Sequence, residues 1–152
     1  VPRDLKQSDR NEMKIDDAIS GCDLVLYYRL PTTQERIDFQ RASFARKGKK
    51  VSNRVSEARA EFGALILTGI REGDFSAGSD ETGAPLLIAS DPASPHYRED
   101  WKAQVIETAG DLLMLLGMQV FQGSMQQLMK NVVLEEEDDD EVILPLTSNS
   151  NG

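Results

Sequence analysis

The chain holds a single cysteine, Cys22, among its 152 residues, so no internal disulfide can brace it, which suits a reducing compartment. No cluster of cations adjoins Cys22 in sequence, and small buried filler is its expected role rather than a reactive thiol. Histidine also occurs once, as His96 between Pro95 and Tyr97. General acid–base chemistry needs a tuned group close to a second one, and no such pair shows in the sequence. Gly69, Gly73 and Gly78 are not followed by the Lys-Ser or Lys-Thr of a phosphate-cradling loop, and no nucleophile elbow occurs. The acidic run Glu135–Glu141 lacks the glycine and the alternating ligand positions of a calcium loop. A non-enzyme with no catalytic residues, no metal and no cofactor is therefore expected. Scattered carboxylates such as Asp74, Asp80 and Glu81 keep a carboxylate-based enzyme site open as an alternative. Long apolar runs are missing too: the longest, Leu112 to Met118, falls far short of the about 20 residues a membrane span needs. Val1 to Asn11 is polar and charged, unlike a secretory leader. A soluble, cytoplasmic protein with no membrane partner is the expectation.

What is present is ordinary for a folded domain: 39% hydrophobic and 28% charged residues, enough to bury a core without staples. The net charge of −9 argues against nucleic acid as a partner of the whole surface, while a local basic site stays open. Three regions are expected: a flexible arm over residues 1–12, one globular domain over 13–133, and an acidic, disordered tail over 134–152. Met13 to Gly21 reads equally as a short helix or an edge strand. Asp23 to Leu30 is rich in β-formers and stops at Pro31, predicting a strand. Thr32 stands three residues before Glu35, the spacing of a capping box, and opens a helix carrying Ile37, Arg41 and Phe44 that Gly48 closes. Val55, Ala58, Phe62, Leu65, Ile66 and Gly69 form a second apolar stripe, predicting a helix within Val51 to Ile70. Gly73 to Ala84 reads as a hairpin-like excursion, with a short strand over Pro85–Ala89. Ser94 and Pro95 are placed to start a third helix, whose buried face is Trp101, Val105, Ala109, Leu112 and Leu116. Gly117 and Gly123 break or bend it, and a last helix runs from Phe121 to Val133. The fold class is α+β, mostly helical, with about four helices and a minor β-sheet or hairpin.

Two features bear on function. The segment Leu112-Leu-Met-Leu-Leu-Gly-Met118 is apolar on every side of a helix, so either it lies wholly inside the core or its second face docks onto a partner or another copy. Met125 and Met129 continue this surface in a soft, adaptable style. Leu112, Leu115, Met118, Met125 and Met129 are the candidate partner-binding residues. Charge is also segregated. Arg41 to Arg54 carries six bases and no acid, with Arg46, Lys47, Lys49, Lys50 and Arg54 as the candidate basic patch, while Glu135 to Glu141 is seven consecutive acids. The bases are accounted for by a helix end, where cations favour the dipole, or by an acidic partner that includes the chain's own tail. Aromatic residues for stacking on bases are almost absent there.

The stretch Tyr28-Arg-Leu-Pro-Thr-Thr-Gln-Glu-Arg36, followed in order by Arg59-Ala-Glu-Phe-Gly63, Leu67-Thr-Gly-Ile70, Tyr97-Arg-Glu-Asp-Trp-Lys102 and Val120-Phe121, resembles the tail assembly chaperones of long-tailed phages and prophages. The resemblance implies a small, acidic, mostly helical viral protein working in the bacterial host cytoplasm. It implies protein partners: an apolar, helical tape-measure-like chain kept soluble, and tail-tube subunits recruited around it. No catalytic role comes with these motifs, and Pro31, Thr32, Glu35 and Trp101 are expected to fix the fold. The rival expectations are a bacterial adaptor or regulatory protein that self-associates as an oligomer, and the carboxylate enzyme.

Overall fold

The computed structural model describes residues 1–47 and 50–123. Its strands are β1 (Asn11–Asp16), β2 (Asp23–Tyr28), β3 (Phe44–Lys47), β4 (Lys50–Asn53), β5 (Leu67–Ile70), β6 (Phe75–Ser79) and β7 (Pro85–Ile88). Its α-helices are α1 (Thr33–Ala42), α2 (Val55–Ile66), α3 (Trp101–Thr108) and α4 (Gly110–Gly117), the last running into a π-helical turn, Met118–Gln122. The class is α+β. Strand takes a larger share than expected beside the four α-helices: among the described residues seven strands form a three-stranded antiparallel sheet in the order β1-β2-β5 and two separate hairpins, β3-β4 and β6-β7.

Alternation in β1 sets the two faces of the main sheet at its edge, while β2 buries Leu24, Val25 and Leu26 in a row. Ile15, Leu24 and Leu26 point inward and are buried, while Glu12, Lys14 and Asp16 point out. The segment left open between helix and strand is thus an edge strand, and it begins at Asn11, inside the stretch expected to be a free arm. That arm is tied down further. The Asn11 side-chain amide donates to the Tyr28 carbonyl at 3.0 Å, the Thr68 hydroxyl donates to the Asp9 carbonyl, and the Arg10 guanidinium lies 4.1 Å from the centre of the Tyr27 ring. The turn between the strands contains Cys22, which is exposed, not buried filler; it faces water because the hairpin closes there, with the Asp17 amide donating to the Cys22 carbonyl.

Two sequence-predicted helices are shorter than their apolar spacing suggested. Helix α1 ends at Ser43, whose hydroxyl turns back onto the Phe39 carbonyl, and Phe44 starts β3 with its ring exposed. Helix α2 passes into β5 with no residue between, Leu67 already extended at φ −67°, ψ 122°. Gly69 therefore belongs to a strand, and Leu65, expected on the buried stripe, is exposed. The third helix starts at Trp101 and not at Pro95, and Ala109 divides it into α3 and α4. Of the last expected helix only Phe121, Gln122 and Gly123 fall among the described residues, the first two within the π-helical turn.

The core joins the sheet to α1, α2 and α4. Phe39, Phe62 and Phe121 meet ring to ring with centroids 5.0 to 5.6 Å apart, beside Leu26, Ile66, Leu113 and Leu116. At its centre α2 and α4 run antiparallel in backbone contact. A Cβ on Gly63 would lie 2.1 Å from the Leu113 carbonyl oxygen, and one on Gly117 would lie 2.1 Å from the Arg59 carbonyl oxygen. Each glycine is four residues from the carbonyl that receives the other, so the contact is reciprocal and only the missing side chains permit it.

Gly63→Ala and Gly117→Ala are each expected to destabilise the fold by about 2–4 kcal/mol, because backbone must move to admit the methyl group. Gly110→Ala is the control: it lies in the first turn of α4 with nothing within 4 Å, and alanine is neutral or stabilising there by up to about 1 kcal/mol. Urea midpoints of the three variants check this.

Candidate partner-binding surface

Beneath the outer edge of β1 runs an open groove of about 470 Å³, lined by Glu12, Met13, Lys14, Ile15, Asp16 and Tyr28 on the sheet side and by Leu115, Met118 and Gln119 on the helical side. Its helical wall follows from the stripe of α4. Leu112, Leu113, Leu116, Gly117, Val120 and Phe121 are buried at spacings of one, three and four, which turns Leu115 and Met118 the other way. Leu115 is 40% exposed. The greasy segment is thus not wholly enclosed: one face lies in the core and a second is open beside the sheet edge.

The candidate residues divide accordingly. Leu115 and Met118 share the groove. Leu112, expected beside them, is 5% exposed and packs into the core: it stands at the border of the arc that Leu113 and Leu116 turn inward, and Leu115 stands just beyond that border. Met125 and Met129 lie outside the described residues, as does the acidic run at Glu135–Glu141.

The basic patch is corrected in its setting. It rides on the β3-β4 hairpin, with Arg46 opposite Val51 and Lys47 opposite Lys50, not on a helix end. Lys50 is exposed. Arg54, just before α2, pairs with Glu57 at 3.5 Å where both side chains are more than half exposed, a contact worth little in water. Lys49 lies outside the described residues.

Of the scattered carboxylates, Asp74 and Asp80 do local structural work. Asp74 accepts from the Val25 amide at 2.8 Å and from the Arg71 guanidinium at 3.0 Å. Asp80 accepts from the Thr82 hydroxyl and from the amides of Thr82 and Ala84, which holds its carboxyl below the usual range. Among the described residues no group of three or more His, Cys, Asp or Glu side chains could hold a metal ion. No described helix is long and apolar enough to cross a membrane.

The motif stretches meet in one framework. The Arg29 guanidinium grips Glu35 with two hydrogen bonds of 2.8 and 2.9 Å, and the same carboxylate accepts from the Thr32 amide while Thr32 accepts from the Glu35 amide. The Arg29 amide donates to the Ile66 carbonyl at the end of α2. Lys102 reaches the next carbonyl, Leu67, at 2.8 Å, and burial first, then the charge of Arg29, lowers its pKa. Trp101 packs against the core. The capping box was legible as spacing; the arginine that completes it was not, because a salt bridge across the Leu30-Pro31 corner leaves no periodic trace.

No protein-family model matches this chain, and neither a curated protein nor a solved structure matches it.

The Glu35 carboxyl is pulled from 4.5 down to about 2, chiefly by Arg29, with the Thr32 amide helping against the cost of burial. A depressed carboxylate stabilises the fold fully above its ordinary value, and that share is lost as pH falls from about 4.5 towards 2. Glu35→Gln is expected to cost about 2 kcal/mol at pH 7, after allowance for solvent screening of a pair that is partly exposed. Denaturant titrations at pH 7 and pH 3 should show the gap between wild type and variant narrowing at the lower pH.

Proposed function

We propose that this chain is a non-catalytic protein-binding protein that grips apolar side chains of another polypeptide in the groove between β1 and Leu115/Met118. The observation that carries the reading is the two-sided α4 segment. A leucine half open to solvent beside a methionine, facing a strand edge, is a costly arrangement for an isolated chain and a serviceable one for a partner. The groove has room for a few side chains, not for a whole helix, so the partner lies across it and inserts one face. Glu12, Lys14 and Asp16 rim the groove with charge, which keeps the loaded complex soluble.

The motif resemblance gives this reading its specific form: a tail assembly chaperone of a phage or prophage, holding an apolar, helical tape-measure-type chain in the host cytoplasm. The adaptable Leu/Met surface and the net charge of −9 are what such a client requires of its holder.

Fluorescence anisotropy with a labelled amphipathic helical peptide bearing a Leu/Ala face tests the grip. Leu115→Asp and Met118→Asp are each expected to weaken binding about tenfold or more, since each removes an apolar contact and places a charge in the groove. Leu86→Asp, at an exposed leucine on β7 away from the groove, should leave affinity unchanged. Equal binding by all three variants sinks the proposal.

A further inference from the structure

Which backbone groups β1 offers can be read from the hydrogen bonds around it. The Asp17 amide donates to the Cys22 carbonyl, in the register that pairs Ile15 with Leu24 and Met13 with Leu26. On the far side of β2, Val25 turns its amide to Asp74 and its carbonyl to Arg71. Antiparallel pairs alternate between bonded and non-bonded. Ile15 and Met13 therefore spend their N–H and C=O groups on β2, while those of Glu12, Lys14 and Asp16 point away from the sheet. Among the described residues no strand pairs with β1 on that side.

The side chains of the same residues carry a pattern. On the outer face of β1, Glu12, Lys14 and Asp16 alternate in sign, and all three are exposed. Set such a strand antiparallel against its own copy with Met13 on the two-fold axis. Glu12 then faces Lys14 of the copy, and Lys14 faces Glu12. Every outer pair is of opposite sign, and Glu12 and Lys14 form bonded backbone pairs, as the free edge requires. Moving the axis one residue, onto Lys14, places Lys14 against Lys14 and Glu12 against Asp16, all repulsive. Moving the axis to Glu12 makes Glu12 face Glu12. Charge thus selects one register with long overlap.

We propose that the chain forms a two-fold dimer through β1, joining two three-stranded sheets into one of six strands with Met13 at the axis. This deepens the gripping role proposed above and rests on it: the grooves of the two copies, each with its Leu115 and Met118, run together across the axis into one apolar trough for the client.

Sedimentation equilibrium on the full chain tests the dimer by charge exchange. Glu12→Lys and Lys14→Glu each turn two attractive pairs into repulsive ones and should weaken dimerisation about tenfold or more. The double variant E12K/K14E restores opposite signs and should dimerise like wild type. An equimolar mixture of the two single variants should form a heterodimer, because the two lysines of one variant then face the two glutamates of the other. Circular dichroism checks that each variant is folded; the changed side chains are exposed. A wild type that stays monomeric at its highest soluble concentration, or single variants that dimerise as wild type does, overturns the proposal. Peptide capture by a chain shown to be monomeric overturns the dimer and leaves the grip standing. A charge-dependent dimer that captures no peptide supports the dimer and sinks the grip.

Discussion

Two glycines set the spacing of this molecule. Where α2 and α4 cross, Gly63 lies against the Leu113 carbonyl and Gly117 against the Arg59 carbonyl, and the helices approach as closely as backbones allow. Dispersion and burial at such a crossing are strong because no side chain intervenes. The rest follows from that distance. It brings Phe121 within stacking range of Phe39 and edge-on to Phe62, puts Leu113 and Leu116 against the sheet core, and lets the chain leave α4 through a π-helical turn whose Val120 carbonyl accepts from Arg36. The turn also decides where Met118 and Gln119 point, so the groove wall depends on the glycine contact some residues away.

Much of this was legible in the sequence where the signal was local. The capping box of α1, the strand at Asp23–Tyr28, the hairpin after Gly73 and the apolar stripes around Phe62 and Leu116 all have a short-range cause: a side chain reaching its own backbone, a period of two, or a period of three and four. The misses share a different cause. Leu67-Thr-Gly-Ile70 continues the helical spacing of α2, and Gly69 was counted on that stripe although Thr68 and Gly69 are weak helix formers; they are a strand because β2 stands ready to pair with them. The β3-β4 hairpin hid in a basic stretch that read as a helix terminus. Ser94-Pro95 is a sound helix opening that tertiary structure uses as a turn, with the Tyr97 amide donating to the Ser94 carbonyl.

The surface shows the same division. That Leu112 to Met118 was apolar all round could be read directly, and so could the conclusion that one face needed covering. Which residues lie on which face depends on the crossing angle of α4, set by Gly63 and Gly117. Leu112 and Leu115 therefore fell on opposite sides of a distinction the sequence could not draw. The opposite wall was beyond reach for another reason: β1 alternates charge with Met13 and Ile15, a pattern that reads as helix or strand until a neighbouring strand is supplied.

The absence of any connector between Ile66 and Leu67 has a mechanical meaning. Both residues are buried almost completely, so the joint cannot act as a hinge, and no slack is stored between the helical layer and the sheet. One wall of the groove is locked to α2 through α4; the other is reached from β5 by way of β2. The two walls belong to a single stiff body, with a separation settled on folding. Under the gripping role proposed here, a partner meets a slot of fixed width in which side chains alone adjust, and little ordering of the host is left to oppose association.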